Sequence, residues 1–243
     1  MRRLVIKGQL SVGRKVPLAK EQVHYLFDVL RKRPGEHFTG LDGSGKAFVL
    51  QLMARSEAGC LVLAEAGEAS REPRLKLTQF LPLLKGDKLD WVVQKSVELG
   101  ASEIVFYAAG RSIVKWTDNV AKKLARMEKI ALEATQQCGR DLVPAIRGIL
   151  TLEEAAGEGP GVFAWEEEET DSLRSFLMRT PKPETLSVLT GPEGGLSSDE
   201  AETLKGLGWC PVTLGPRILR AETAAIAMVT CAMFSYGEME GDQ

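Results

Sequence analysis

Through the first seventy residues the apolar positions come in short bursts separated by Gly, Pro and charged residues. Gly8 and Gly13 interrupt the first burst, and Val23, Leu26, Phe27 and Leu30 then fall on one side of a helix across residues 18–30. Arg33-Pro-Gly35 reads as a turn. Strands follow at 36–41, 47–54 and 60–64, with Asp42-Gly-Ser-Gly45 as a hairpin connection between the first two. Short strands about one helix predict a small barrel over residues 1–72. The polar stretch Glu65–Pro73 holds the linker.

From Leu75 the rhythm becomes strand and helix in alternation. Strands are predicted at 75–81, 103–108, 145–150, 162–165, 186–190 and 212–214. Helices are predicted at 88–99, 120–138, 173–178, 198–206 and 222–236, with Gly100 and Gly139 ending the first two. This alternation predicts an α/β domain over 73–243, a parallel sheet covered on both faces. The final helix is apolar almost all round, so burial against the chain's own sheet and against a second copy is expected. The four acids Glu166–Glu169 read as a solvated loop.

Composition narrows the chemistry. Four scattered cysteines form no C-x-x-C pair, so free thiols are expected; with only His24 and His37, neither a histidine metal site nor a Ser-His-Asp arrangement is expected. No apolar run is long enough to span a bilayer, and the basic start lacks a signal-peptide apolar region, so a cytoplasmic protein without membrane association is expected. The net charge of −2 is unevenly spread. Residues 1–72 hold twelve Lys and Arg against eight Asp and Glu, and residues 73–243 hold nineteen against twenty-five. A basic small module beside an acidic larger one is compatible with RNA held by the first.

Two loops carry the strongest chemical signal: Thr190-Gly-Pro-Glu-Gly-Gly-Leu196 and Leu214-Gly-Pro-Arg-Ile-Leu-Arg-Ala-Glu-Thr-Ala224. Each follows a predicted strand and precedes a helix, where ligands of open α/β sheets bind. Neither is a dinucleotide fingerprint or a phosphate loop. A nucleotide-like ligand without polyphosphate, such as S-adenosylmethionine, is expected. Gly191, Gly194, Gly195 and Gly215 would let it approach the backbone, with Leu214, Ile218 and Leu219 as apolar walls for an adenine. Arg220 and Glu222 flank the start of the last helix, and Arg140 with Gln136 and Gln137 follows the long one. Gln94, Lys95 and Glu98 share a helix face, which alone reads equally as solvated surface.

These motifs resemble the SPOUT-class RNA methyltransferases, specifically the family that methylates N3 of a uridine in 16S ribosomal RNA. The resemblance covers nearly the whole chain. It includes His24-Tyr-Leu-Phe-Asp-Val-Leu-Arg31, Leu41-Asp-Gly-Ser-Gly45, Lys85-Gly-Asp-Lys88, Gln94-Lys-Ser-Val-Glu-Leu-Gly100, Glu133–Arg140 and, most specifically, the two glycine loops. It implies a PUA-like RNA-binding β-barrel followed by a methyltransferase domain with a C-terminal trefoil knot, acting as a homodimer on the small ribosomal subunit. The cofactor implied is S-adenosylmethionine, leaving as S-adenosylhomocysteine, with no metal. Implied cofactor contacts are Leu189, Thr190, Gly191, Pro192, Glu193, Gly194, Gly195, Leu214, Gly215, Ile218, Leu219, Arg220, Thr223 and Ala224. Implied RNA contacts are Arg2, Arg3, Lys7, Arg31, Arg33, Gln94, Lys95 and Gln137, with Arg14, Lys15 and Lys32 nearby. Cys138, Val97 and Leu196 depart from the family pattern where serine, threonine and an aromatic are usual.

On that resemblance Arg140 and Arg220 are assigned to uracil oxygens or phosphate, and Glu98 or Glu222 is the candidate side-chain base, water being the alternative. Glu222 is equally readable as a structural partner of Arg220. Two other readings stay open: a related enzyme acting on another base or a ribose hydroxyl, and a non-catalytic RNA-binding assembly factor.

Overall fold

The computed structural model describes residues 3–67, 69–114 and 118–240. The chain forms two compact units: Met1–Glu72 with Thr135–Val143, and Pro73–Ala134 with Pro144–Gln243.

The first unit is built on strands β1 (Arg3–Val5), β2 (Lys15–Pro17), β3 (His37–Leu41), β4 (Ala47–Leu52) and β5 (Gly59–Glu65). Their order is β1-β3-β4-β5-β2, with β1 parallel to β3 and the other pairs antiparallel. Where a small barrel is expected, the strands form a curled sheet with β1 and β2 at its edges and a register shift at Val49/Leu50. The predicted single helix is α1 (Lys20–His24) running directly into a π-turn at Tyr25–Val29. Leu18 and Leu26 pack with Phe38, Leu50, Leu52 and Val62 into the unit's apolar core. Leu41 pairs with Ala47 across the Asp42–Lys46 connection, whose Asp42 accepts from the Ser44 backbone and hydroxyl.

The second unit is a six-stranded parallel sheet: β6 (Lys76–Pro82), β7 (Glu103–Ala108), β8 (Ala145–Thr151), β9 (Val162–Ala164), β10 (Thr185–Thr190) and β11 (Cys210–Val212), ordered β11-β9-β10-β6-β7-β8. Helices α2 (Lys88–Glu98), α3 (Val120–Cys138), α4 (Leu152–Gly157), α5 (Leu173–Arg179), α6 (Ser198–Gly206) and α7 (Ala221–Ser235) connect or follow the strands. α4 was not anticipated, although Thr151-x-x-Glu154 is a capping box that the structure uses in full. β11 lies two residues earlier than predicted because its register against β9, Cys210 opposite Val162, is set by a distant strand. Phe80, Val105, Tyr107, Phe163, Leu189 and Trp209 form a core under the central strands. α7 packs against α2, α5, β6 and β10, and buried Gln79 donates its side-chain N–H to the Ala225 carbonyl at 2.9 Å.

Among the described residues no helix is long and apolar enough to cross a membrane.

Candidate functional site

Four neighbouring strands, β11, β9, β10 and β6, run parallel, so their carboxyl ends deliver four loops to one end of the sheet. There a cleft of about 800 Å³ opens, within the usual range for small-molecule sites. It is lined from β10 by Gly191, Pro192, Glu193 and Gly195, and from β11 by Thr213–Ala221 and Ala224. β9 contributes Ala164, Trp165, Glu166, Glu168 and Glu169, and Lys88 at the start of α2 completes the wall.

The glycines are needed for different physical reasons. A Cβ at Gly191 would sit 3.1 Å from the Leu196 backbone nitrogen, and one at Gly194 would sit 3.2 Å from the Arg111 carbonyl. Those two glycines let the loop fold on itself and on its neighbour. At Gly195, φ is +70° and a Cβ would meet the Glu166 carboxylate, which lies against that backbone. Only Gly215, at φ +104°, faces open space. The first loop is fastened from behind: Tyr107 donates its hydroxyl to the Thr190 carbonyl at 2.8 Å, and Arg111 donates to the Gly194 and Leu196 carbonyls at 3.3 and 3.4 Å. Glu200 accepts from the backbone of Ser197 and of Gly110, both at 2.8 Å, holding the start of α6 to the loop after β7.

The charged lining is mixed. Glu166, Glu168, Glu169 and Glu193 face Lys88, Arg217 and Arg220. Lys88 Nζ lies 3.1 Å from Glu222 Oε2 and 3.7 Å from Glu193 Oε1. Partial burial pushes the Glu222 carboxyl upward, but its own backbone N–H, the Lys88 ammonium and the Arg220 charge outweigh that and hold it below its ordinary value. Glu193 Oε2 is buried without a hydrogen-bond partner.

The RNA methyltransferase domain family matches residues 71–233. The chain belongs to this RNA methyltransferase family. Within it, the Bacillus subtilis ribosomal RNA small subunit methyltransferase E is 33% identical over 98% of the chain and 96% of that relative. A crystal structure of a ribosomal RNA small subunit methyltransferase E from Neisseria gonorrhoeae, bound to S-adenosyl methionine, has a TM-score of 0.86. It is 32% identical, over 96% of this chain and 97% of that one. A Legionella pneumophila methyltransferase, also in complex with bound S-adenosylmethionine, is 28% identical with a TM-score of 0.86 over 96% and 97% of the two chains.

Seen in this RNA methyltransferase, the sequence-derived site divides. Gly191, Pro192, Glu193, Gly195, Leu214, Gly215, Ile218, Leu219, Arg220 and Ala224 line the cleft. Leu189, Thr190, Gly194 and Thr223 are not in its lining: Leu189 is in the core, the Thr190 carbonyl is taken by Tyr107, and the Gly194 carbonyl is taken by Arg111. Glu222 also stands behind the lining, buried, with its Oε2 at ion-pair distance from Lys88.

Arg140, assigned on the resemblance to a uracil oxygen or phosphate, lies outside the lining of the cleft. Its guanidinium is buried and engages Glu72 at 2.6 Å, while Glu72 also accepts from the backbone of Asp141 and Leu142. Arg3, read as an RNA contact, is likewise buried and ion-paired with Asp141. Lys7, Arg31, Arg33, Gln94 and Gln137 are exposed, Lys95 pairs with Glu98 at 2.9 Å, and Arg2 lies outside the described residues.

Sequence reasoning missed Lys88, although it closes the Lys85-Gly-Asp-Lys88 motif, and missed the Trp165–Glu169 wall. Glu166, Glu167 and Glu169 are exposed, as a solvated loop requires, and the same segment also lines the cleft. Its position after a buried strand was the available signal. Among the described residues no group of three or more His, Cys, Asp or Glu is placed to hold a metal ion.

Proposed function

We propose that this chain is an S-adenosylmethionine-dependent methyltransferase that modifies N3 of one uridine of 16S ribosomal RNA near the decoding centre. The substrate form is the assembled small subunit, and the enzyme acts as a homodimer with its cofactor held in a knotted C-terminal region. The observation that carries the reading is the cleft at the ends of β9, β10 and β11, in a chain whose 32%-identical structural relative binds S-adenosyl methionine.

The residues present fit such a cofactor. Leu214, Ile218 and Leu219 offer apolar surface for an adenine. Glu166 and Glu193 offer carboxylates to a cationic ligand, and Glu193 Oε2 is a buried acceptor still lacking a donor. When bound, the cofactor supplies an electrophilic methyl group on a positively charged sulfur.

What remains for the protein is to present uridine N3 and manage its proton. Glu222 is poorly suited to be the base: held ionised below the ordinary carboxylate range, it has little affinity for a proton from a weakly acidic imide. Water takes the proton in this scheme. Arg220, exposed on the cleft wall at the start of α7, stabilises the imide charge at a uracil oxygen as N3 is deprotonated. Positioning then supplies much of the acceleration, up to roughly 7–11 kcal/mol for well-oriented reactants. Exposed Lys7, Arg14, Arg31 and Arg33 of the first unit grip phosphates.

The test is methyl transfer from labelled S-adenosylmethionine to small subunits lacking the modification, with free 16S RNA alongside. Mass spectrometry of the nucleoside digest should show 3-methyluridine from subunits; a 2′-O-methyl nucleoside, or no transfer, overturns the reading.

A further inference from the structure

We propose that Lys88 is a positioning residue that holds the two glycine-bearing loops together as one cofactor pocket, by an ion-pair bridge from Glu193 on the first loop to Glu222 behind the second. The inference rests on the cleft being the cofactor site, and concerns what keeps that cleft assembled.

Among the described residues no hydrogen bond joins loop 191–195 to segment 213–220. Each loop is satisfied locally instead: Gly195 N–H donates to the Pro192 carbonyl, and Gly215 N–H donates to the Thr213 hydroxyl. The two loops follow β10 and β11, which are not neighbours in the sheet because β9 lies between them. Pairing through β9 sets the spacing of the strands themselves; beyond the strand ends, a contact outside the sheet is needed to tie the two loops to each other. Lys88 Nζ reaches both sides, at 3.7 Å from Glu193 Oε1 and 3.1 Å from Glu222 Oε2. The same Glu193 oxygen accepts from the Lys85 backbone N–H at 3.1 Å, so Lys85 before α2 and Lys88 at its start both hold the first loop.

The burial of the partners gives the bridge its leverage. The side chains of Lys88, Glu193 and Glu222 are 35%, 19% and 12% exposed, so the carboxylates are better shielded than the ammonium. An exposed ion pair contributes little, but withdrawing the cation from a mostly buried carboxylate leaves that charge uncompensated. Glu222 lies in the first turn of α7, directly after Arg220 and Ala221 of the cleft wall. Relaxation there to rehydrate the carboxylate would move that wall.

The test uses the full chain and S-adenosylmethionine titrated by calorimetry. Lys88→Met keeps the stem and removes the charge; Lys88→Arg keeps the charge. Lys88→Met should weaken cofactor binding about tenfold or more, and Lys88→Arg should stay within about threefold of the parent. Lys88→Met/Glu222→Gln should bind no worse than Lys88→Met alone, since both changes break one contact. In the cofactor-free protein, Lys88→Met should speed amide hydrogen exchange in 191–195 and 214–219 while protection in β6 and β7 is kept. Binding of Lys88→Met at parental affinity overturns the proposal. So does faster exchange spread evenly through the sheet, which would mark a general stability role. If the parent protein binds no S-adenosylmethionine, the cofactor reading fails, and the exchange data still decide whether Lys88 ties the loops.

Discussion

At Gly215 the backbone has φ +104°, and a Cβ built there would find no atom within 4 Å. At Gly161 a Cβ would lie 2.5 Å from the Ser187 carbonyl and 2.6 Å from the Trp209 ring. The first glycine is required by conformation and the second by crowding, so alanine at each should fail differently. Gly215→Ala introduces about 1–2 kcal/mol of strain into an exposed loop. The expected outcome is about tenfold weaker S-adenosylmethionine binding with little change in melting temperature. Gly161→Ala overpacks the junction of β9, β10 and Trp209, at a cost of roughly 1–3 kcal/mol in global stability. It should lower the melting temperature by several degrees, with cofactor affinity per folded molecule unchanged. Calorimetry and thermal unfolding on the two variants check both halves. The sequence shows that glycines matter in such loops. It does not distinguish the reasons, because Ser187 and Trp209 meet Gly161 only once the sheet has formed.

α3 shows what was legible at the level of an element. Its apolar periodicity and terminal Gly139 define 120–138 from sequence alone, and Gly139 has φ +82°. Its far end depends on partners that no local pattern reveals. Glu72 accepts hydrogen bonds from Arg140 and from the Asp141 and Leu142 backbone just beyond the helix. The burial of Arg3 and Arg140 against Asp141 and Glu72 is not legible in sequence, because a lone arginine carries no sign of the carboxylate it meets. The same limit hid Lys88 and the Glu166 wall, which strand order brings to the cleft. Glu72 also gives a prediction with a definite sign. Burial pushes its carboxyl up, yet the Arg140 guanidinium and the two backbone N–H groups prevail and leave it below the ordinary value of 4.5. A carboxylate depressed on folding contributes stability above its unfolded pKa and loses it as pH falls through the folded value. Glu72→Gln removes the charged carboxylate that the buried Arg140 guanidinium engages and should cost on the order of 3 kcal/mol at pH 7. That difference should shrink as pH drops below about 4.5 and close once the parent Glu72 is protonated. Urea or thermal unfolding of both proteins from pH 7 to pH 3 measures it, and curves that stay parallel throughout would refute it.

For the whole molecule, the outer side of α7 is apolar and accessible. Ala225, Met228, Val229, Ala232 and Met233 turn inward and are fully buried within the chain. The opposite side keeps Ala227, Cys231 and Phe234 accessible, with Phe234 at 68% exposure, and α2, which packs on α7, presents Trp91 at 48%. Ile218, on the cleft wall, is 90% exposed. Aromatic side chains left accessible beside a small-residue helix stripe would suit the apolar centre of a self-complementary contact. The proposed homodimer would bury this stripe against its copy. Phe234→Asp adds a charge at the centre of that contact, on a side chain that is mostly exposed in the monomer. Sedimentation should therefore give twice the chain mass for the parent and a single chain mass for the variant, with unchanged circular dichroism. Because Ile218 of the cleft wall is 90% exposed, a dimer that also shields it predicts weaker S-adenosylmethionine binding by the monomeric variant. A Phe234→Asp protein that remains dimeric would place the subunit contact elsewhere, and a parent that sediments as a monomer would remove the dimer from the proposal altogether.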